Sequence, residues 1–188
     1  MDSAIVRSLY HWASDHAAAG DLVKAIAQYG IYLLVIALAL VWAWPGTTLQ
    51  ARRRAVVACG LSLVAAALLS VVLGTFIDRP RPFAALQLTP LFSHSADSSF
   101  PSDHALLGVG LIAPLVWALP RLGAPLLVWA LLVGFARVAA AVHYPSDIAG
   151  SALIALALGL ASLPVAKACI ARLPAGLARW TGLRKKAG

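Results

Sequence analysis

Apolar stretches close to 20 residues long, cut by prolines and arginines, leave this chain few ways to fold. A run of that length crosses the hydrocarbon layer of a bilayer as a helix. Five can be marked off, roughly 25–44, 55–77, 103–119, 123–142 and 147–168. The breakers between them are Trp44-Pro45-Gly46, Arg79-Pro80-Arg81-Pro82, Pro120 and Pro145, while Pro114 and Pro164 fall inside spans. Charged residues make up 12% of the sequence, against about 25% in a soluble domain, and the mean hydropathy is +0.85. The pattern predicts an all-α integral membrane bundle of about five transmembrane helices, with residues 1–188 as one membrane-embedded domain. A water-soluble or nucleic-acid-binding chain is a poor reading despite the net charge of +8, because the basic residues fall in short loops between apolar runs.

Residues 3–17 read as an amphipathic helix lying in the membrane interface. Ile5, Leu9 and Trp12 share one face at helical spacing, with Tyr10 and Trp12 suited to the headgroup level. The first residues carry Asp2, Arg7 and Asp15 and lack a basic start followed by a small-residue cleavage site, so they do not read as a secretory leader. Cys59 and Cys169 fall toward one end of the spans, where small apolar packing is their expected role and no disulfide is expected.

Charge sets the topology. One set of span ends holds Arg52, Arg53, Arg54, Arg121, Lys167, Arg172, Arg179, Arg184, Lys185 and Lys186, ten of the 15 basic residues. The other holds Arg7, Lys24, Arg79, Arg81 and Arg137. The positive-inside rule makes the first set cytoplasmic, so the amino terminus lies outside and the carboxyl terminus inside. All seven acidic residues and all five histidines then fall on the outer side. A purely structural bundle has no need of that segregation.

Three polar clusters converge on this outer face. Asp78-Arg79-Pro80-Arg81-Pro82-Phe83 ends the second span, Ser102-Asp103-His104 begins the third, and Arg137, His143 and Asp147 straddle the turn between the fourth and fifth. Arg137 lies 16 residues beyond Arg121, about 24 Å along a helix, near the edge of the hydrocarbon layer. There it either snorkels to the headgroups or turns inward onto an anion. Arg79 and Arg81 taken singly are as well explained as interfacial anchors. Three arginines at one corner favour a multiply charged oxyanion such as phosphate, which guanidinium grips in bidentate fashion. Pro101 suits the first turn of a helix, so Ser102, Asp103 and His104 would lie beside backbone N–H groups that attract anions. Capping alone would explain Ser102 and Asp103, but not His104.

These residue types assemble a phosphoryl-transfer site. Asp147 can orient one imidazole nitrogen of His143 and leave the other free as a nucleophile; helix-dipole complementation by Asp147 is the alternative. His104 would protonate the leaving oxygen and then activate water. Arg81, Arg137, Ser102 and helix-start amides would hold the equatorial oxygens. No metal or other cofactor is demanded, because the arginines supply the positive charge; Asp78, Asp97 and Asp103 are the residues that could otherwise gather a divalent ion.

The segments GTFIDRPRP (74–82), PSDH (101–104) and ARVAAAVHYPSD (136–147) resemble the three signatures of the type 2 phosphatidic acid phosphatase superfamily. The resemblance covers about residues 74–147, and the Arg137–His143–Asp147 spacing is its most specific part. It implies a helical membrane bundle and metal-independent hydrolysis. It also implies His143 as nucleophile, Asp147 as its partner, His104 as acid, and Arg81, Ser102 and Arg137 as phosphate ligands. Three departures stand out. Gly74 occupies the position of the family lysine, with Arg79 a possible substitute; Asp103 replaces a glycine; Ala136 replaces a serine.

The PSDH form, Gly74 and the five-span layout look like the undecaprenyl-diphosphate phosphatase branch. That branch implies hydrolysis of a polyprenyl diphosphate to the monophosphate at the outer face of a bacterial cytoplasmic membrane, recycling the cell-wall lipid carrier. Membrane lipids are then the other expected partners. Residues 83–100, half apolar, are expected to lid the site or guide the prenyl chain. A phosphatase for glycerophospholipids or lipid A phosphates, and a non-catalytic lipid-binding or lipid-translocating protein, are the competing readings.

Overall fold

The computed structural model of the protein describes residues 1–43 and 49–174. The Trp44-Pro45-Gly46 breaker and the basic residues Arg179, Arg184, Lys185 and Lys186 lie outside the described residues. Seven helices follow in order among them: α1 (Asp2–Asp15), α2 (Ala17–Ala43), α3 (Leu49–Phe76), the single turn α4 (Pro82–Ala85), α5 (Asp103–Ala118), α6 (Pro120–Ala139) and α7 (Pro145–Arg172). No strand is present among the described residues.

The five apolar runs are α2, α3, α5, α6 and α7. Four of them are long and apolar enough to cross a membrane. α2, α3 and α7 have 27, 28 and 28 residues, about 40 Å each, and so overrun a hydrocarbon layer of about 30 Å. Their ends therefore reach past the apolar windows, through Asp21 and Lys24 in α2 and through 52–54 in α3. Pro164, inside α7, removes one donor from the backbone hydrogen-bond ladder without ending the helix. The fifth run, α5, has 16 residues.

α5 is the central helix. It packs against α2, α3, α6 and α7, and every residue from Gly108 to Leu115 is buried. A helix enclosed by its neighbours need not match the bilayer thickness. The outer surfaces of the surrounding helices are the reverse: Ile36, Leu40, Leu68, Val71, Leu131 and Leu153 are exposed. So much exposed apolar surface suits lipid contact, and the protein is a multi-pass membrane protein.

Between helices that meet in lipid, close packing of small residues does the work that water does in a soluble core. A Cβ on Gly159 of α7 would lie 2.2 Å from Ala113 Cβ of α5, and one on Gly134 of α6 would lie 2.6 Å from Ile148 Cγ2 of α7. Pro120 opens α6 instead of merely separating two spans. Gly123 keeps that hairpin tight, since a Cβ there would meet the Leu115 backbone at 2.4 Å. Cys59 is buried in the main core and Cys169 is exposed; both are free thiols.

α1 confirms a helix at the amino terminus. Val6 and Ala13 are its buried residues, while Ile5 and Trp12 remain exposed. The helix docks on α2, α6 and α7. Tyr10 Oη ties it to the long connection between α4 and α5, donating to the Thr89 carbonyl at 2.8 Å.

Candidate active site

The helix order brings one end of α3, α5, α6 and α7 together, and the three polar clusters meet there. α6 ends at Ala139, and the chain turns through Ala140–Val142. Ala141 takes a left-handed φ of 61°. Its carbonyl accepts the Phe83 N–H at 2.9 Å, so the start of α4 braces this turn. Val142, His143 and Tyr144 follow, all buried. Tyr144 then caps α7, with Pro145 at its first helical position. This brace directs His143 inward at the helix–helix junction.

His143 is 1% exposed. Its Nδ1 is 2.8 Å from the Ser99 carbonyl oxygen. A carbonyl can only accept, so the proton sits on Nδ1 and Nε2 carries the lone pair. Arg81 Nη1 lies 3.2 Å from that Nε2 and donates to the Val142 carbonyl at 2.9 Å. Burial, and then the charges of Arg137 and Arg81, hold the imidazole well below its ordinary pKa of 6.5, outweighing the Ser99 carbonyl, which acts the other way. His143 is therefore neutral at physiological pH.

Asp147, in the first turn of α7, is fully buried. Its Oδ2 accepts from Ser99 Oγ at 2.5 Å and from the Tyr144 N–H at 2.8 Å. It lies 3.9 Å from His143 Nδ1, within ion-pair range and beyond a hydrogen bond. The carboxylate thus serves both as a helix cap and as a neighbour of the histidine, with Ser99 joined to each.

Arg79 and Arg81, two residues apart, point to different partners. Arg81 is buried, and its Nε donates to Asp97 Oδ1 at 2.8 Å. Burial raises the Asp97 pKa, but the Arg81 hydrogen bond and charge outweigh it and hold that carboxyl below the usual range. Arg79, expected among the phosphate ligands, lies behind the histidine. Its Nη1 donates to Asp147 Oδ1 and to Ser146 Oγ, its Nη2 donates to Asp2 Oδ2 at 3.0 Å, and its guanidinium stacks 4.2 Å from the Tyr144 ring centre. The amino-terminal helix therefore reaches this corner through Asp2.

Arg137 is 3% exposed and turned inward, settling the choice between snorkelling and burial. Its Nη1 is 3.4 Å from the Ala27 carbonyl and its Nη2 is 2.6 Å from His94 Nε2. Its Nε has no partner among the described residues. No carboxylate pairs with it among them either, although Asp103 and Asp97 lie within electrostatic reach.

Ser102 is the N-cap of α5, which leaves Pro101 outside the helix. Its hydroxyl accepts the Ala105 N–H at a long 3.5 Å, and its own N–H donates to Ser151 Oγ at 2.9 Å. His104 is the second residue of α5 and is partly buried. Asp103 is exposed and accepts a hydrogen bond from Ser70 Oγ of α3, so its carboxylate is directed to the neighbouring helix. Beside Asp103, Arg81 and Asp97, a cavity of about 380 Å³ opens between α3 and α5, with Gly74, Val71 and Leu107 on its walls. A Cβ at Gly74 would meet nothing within 4 Å.

Two residues at this corner were absent from the sequence reading. Ser99 is invisible to it because one of its contacts is a backbone carbonyl, although the Ser98-Ser99 pair before Phe100-Pro101 is a polar signal in a half-apolar loop. His94 sits in the same loop. Its Nδ1 lies 3.0 Å from the Ser95 carbonyl, and its ring centre is 6.3 Å from that of His143.

The chain is similar to one protein family over more than half of its length. The profile of the PAP2 superfamily matches residues 55–170. The undecaprenyl-diphosphatase BcrC of Bacillus subtilis (strain 168) is 28% identical over 159 residues, covering 85% of this chain and 81% of that protein. The bacitracin transport permease protein BcrC of Bacillus licheniformis is 30% identical over 141 residues, covering 74% of this chain and 68% of that protein. Among solved structures, Aquifex aeolicus LpxE superposes with a TM-score of 0.64 at 25% identity, covering 84% of this chain and 93% of that one.

Proposed function

The chain belongs to the PAP2 superfamily and is a membrane lipid phosphatase; from that premise we propose that it hydrolyses undecaprenyl diphosphate to the monophosphate and inorganic phosphate. The observation that carries the reading is a neutral, buried imidazole, His143, whose lone-pair nitrogen meets the Arg81 guanidinium while a second buried guanidinium, Arg137, lacks a carboxylate among the described residues. A nucleophile without charge beside two guanidiniums, one of which, Arg137, has no carboxylate partner among the described residues, is suited to attack on an anionic phosphorus centre.

In this reading Nε2 of His143 attacks the terminal phosphorus, and the bond to the bridging anhydride oxygen breaks. His104 gives its proton to the departing lipid monophosphate. Arg81, Arg137 and Ser102 hold the equatorial oxygens as charge builds on them. His104, now a base, takes a proton from water; the water oxygen attacks the phosphohistidine, and phosphate leaves with His143 restored. Asp147 stabilises the cationic imidazole from 3.9 Å, Ser99 keeps the proton on Nδ1, and Arg79 fixes Asp147. The polyprenyl chain leaves the phosphate site through the cavity over Gly74 and runs down the lipid-facing side of α3.

The diphosphate substrate is suggested by the name of the Bacillus subtilis relative, an undecaprenyl-diphosphatase, and by Gly74, which leaves room at the cavity. The excess of basic residues at the opposite span ends supports a site at the outer face of a bacterial cytoplasmic membrane, with the carboxyl terminus inside. Phosphate release from undecaprenyl diphosphate, phosphatidic acid, phosphatidylglycerophosphate and a lipid A phosphate tests the substrate. The polyprenyl diphosphate should give the highest kcat/KM, with and without chelator. Preference for any other lipid in the panel contradicts the assignment.

A further inference from the structure

Each of the two buried guanidiniums in the cleft rests one nitrogen against an imidazole. Arg81 meets His143, which has a part in the reaction proposed above; Arg137 meets His94, which has none. His94 Nδ1 donates to the Ser95 carbonyl at 3.0 Å, which leaves Nε2 as the acceptor of the Arg137 Nη2 proton at 2.6 Å. Phe92 backs both groups, its ring centre 6.1 Å from that of His94 and 5.4 Å from the Arg137 guanidinium carbon. Apart from a 3.4 Å approach to the Ala27 carbonyl, this imidazole is the acceptor that satisfies Arg137, and the guanidinium Nε stays without a partner among the described residues. A neutral nitrogen thus holds the place on Arg137 where an oxyanion would bind more strongly.

We infer that His94 is a third histidine of the phosphate site: when an oxyanion takes Arg137, His94 Nε2 gives up that hydrogen bond, gains a proton from solvent, keeps it, and through it donates a hydrogen bond to the same oxyanion. The inference rests on the phosphate reading of this cleft. No bond to phosphorus is made or broken at His94; anion binding is accompanied by uptake of one proton there.

The surrounding charges explain the sign. Burial, and the positive charges of Arg81 and Arg137, keep His94 below its ordinary pKa, against the opposing pull of the Ser95 carbonyl and Asp97. His143 and His104 also lie within electrostatic reach of it. A tetrahedral dianion seated on the two arginines cancels their repulsion, so the imidazolium becomes the favoured form.

Proton uptake on binding tests this directly. Tungstate is the probe, since it is a tetrahedral dianion whose charge is fixed near neutral pH. Calorimetric titration at pH 7 in buffers of different ionisation heat counts the protons taken up, for the wild type and for His94→Gln and His94→Asn, neither of which can gain one. Because His104 and His143 lie within electrostatic reach of His94, the same comparison is repeated in His104→Gln and His143→Gln backgrounds, where a difference that persists belongs to His94. The wild type should take up more protons than either variant, by up to one, and the variants should bind tungstate about tenfold more weakly at pH 6 than the wild type, with the gap closing by pH 8. Equal proton uptake in wild type and variants overturns the role of His94 and leaves the phosphate reading intact. Failure of the wild type to bind tungstate overturns both.

Discussion

His143 Nδ1 and Asp147 Oδ2 stand 3.9 Å apart, and Ser99 is hydrogen-bonded to both, by its carbonyl to the histidine and by its hydroxyl to the carboxylate. The tautomer of the proposed nucleophile is therefore set by a backbone group, which a side-chain substitution cannot remove. In triads where an aspartate fixes the tautomer directly, replacing it by asparagine costs about 10⁴-fold in kcat. Here Asp147→Asn should cost less, about 10²-fold, and Ser99→Ala about tenfold with little change in KM. Steady-state kinetics on both variants checks this; a loss in Asp147→Asn as large as in a direct triad would mean that the carboxylate, and not Ser99, holds the proton in place.

The two arginines of the Arg79-Pro80-Arg81 segment should separate kinetically. Arg79 is engaged by Asp147, Ser146 and Asp2, so Arg79→Ala should lower kcat with KM nearly unchanged. Arg81→Ala and Arg137→Ala remove groups assigned to the substrate phosphate and should raise KM as well as lower kcat, with kcat/KM down about 10²-fold or more. An Arg79→Ala effect confined to KM would return that residue to the phosphate ligands.

The pH profile carries a sign. His143, the proposed nucleophile, would attack as the neutral imidazole, and burial together with Arg137 and Arg81 lowers its pKa from 6.5. The acid limb of kcat/KM should fall below pH 6.5. Arg81→Gln removes one of the cations responsible and should move that limb upward, toward 6.5, in whatever activity remains. Folding is linked in the same direction. Below pH 6.5 the unfolded chain binds a proton at His143 that the folded chain rejects, so the stability this group permits is complete above 6.5 and declines as pH falls beneath it. An acid limb above 6.5 in the wild type would contradict the environment described for His143.

Gly74 bears on chain length. Its Cβ position is open and it lines the cavity between α3 and α5. Gly74→Trp should fill the exit path and raise KM for a long polyprenyl diphosphate about tenfold, leaving a short soluble diphosphate unaffected. Equal effects on long and short substrates would place the chain elsewhere.

How much of this was readable in advance follows from where the information resides. The five apolar helices were legible to within several residues, because bilayer thickness imposes their length and the prolines mark their ends. The meeting of Arg81, Arg137, His143 and Asp147 at one end was legible from chain order and span count alone. Membership of the superfamily was legible from the spacing of Arg137, His143 and Asp147. The partners of these side chains were not. Arg79 and Arg81 look equivalent in sequence, yet the rigid Pro80 between them sends one to Asp147 and the other to His143. Ser99 and His94 lie in the connection between α4 and α5, which has no helical or strand period to fix which side chains point inward. Asp103, a carboxylate in a proposed phosphate site, is explained by Ser70 on α3, 33 positions away.

The central claim is that His143 is the nucleophile of this corner, and His143→Gln tests it most directly, since glutamine keeps a polar side chain in the buried site and cannot carry the phosphoryl group as imidazole does. Phosphate release from undecaprenyl diphosphate by the purified, folded variant should fall by about 10³-fold or more, with tungstate still bound. Turnover within tenfold of the wild type would contradict the account.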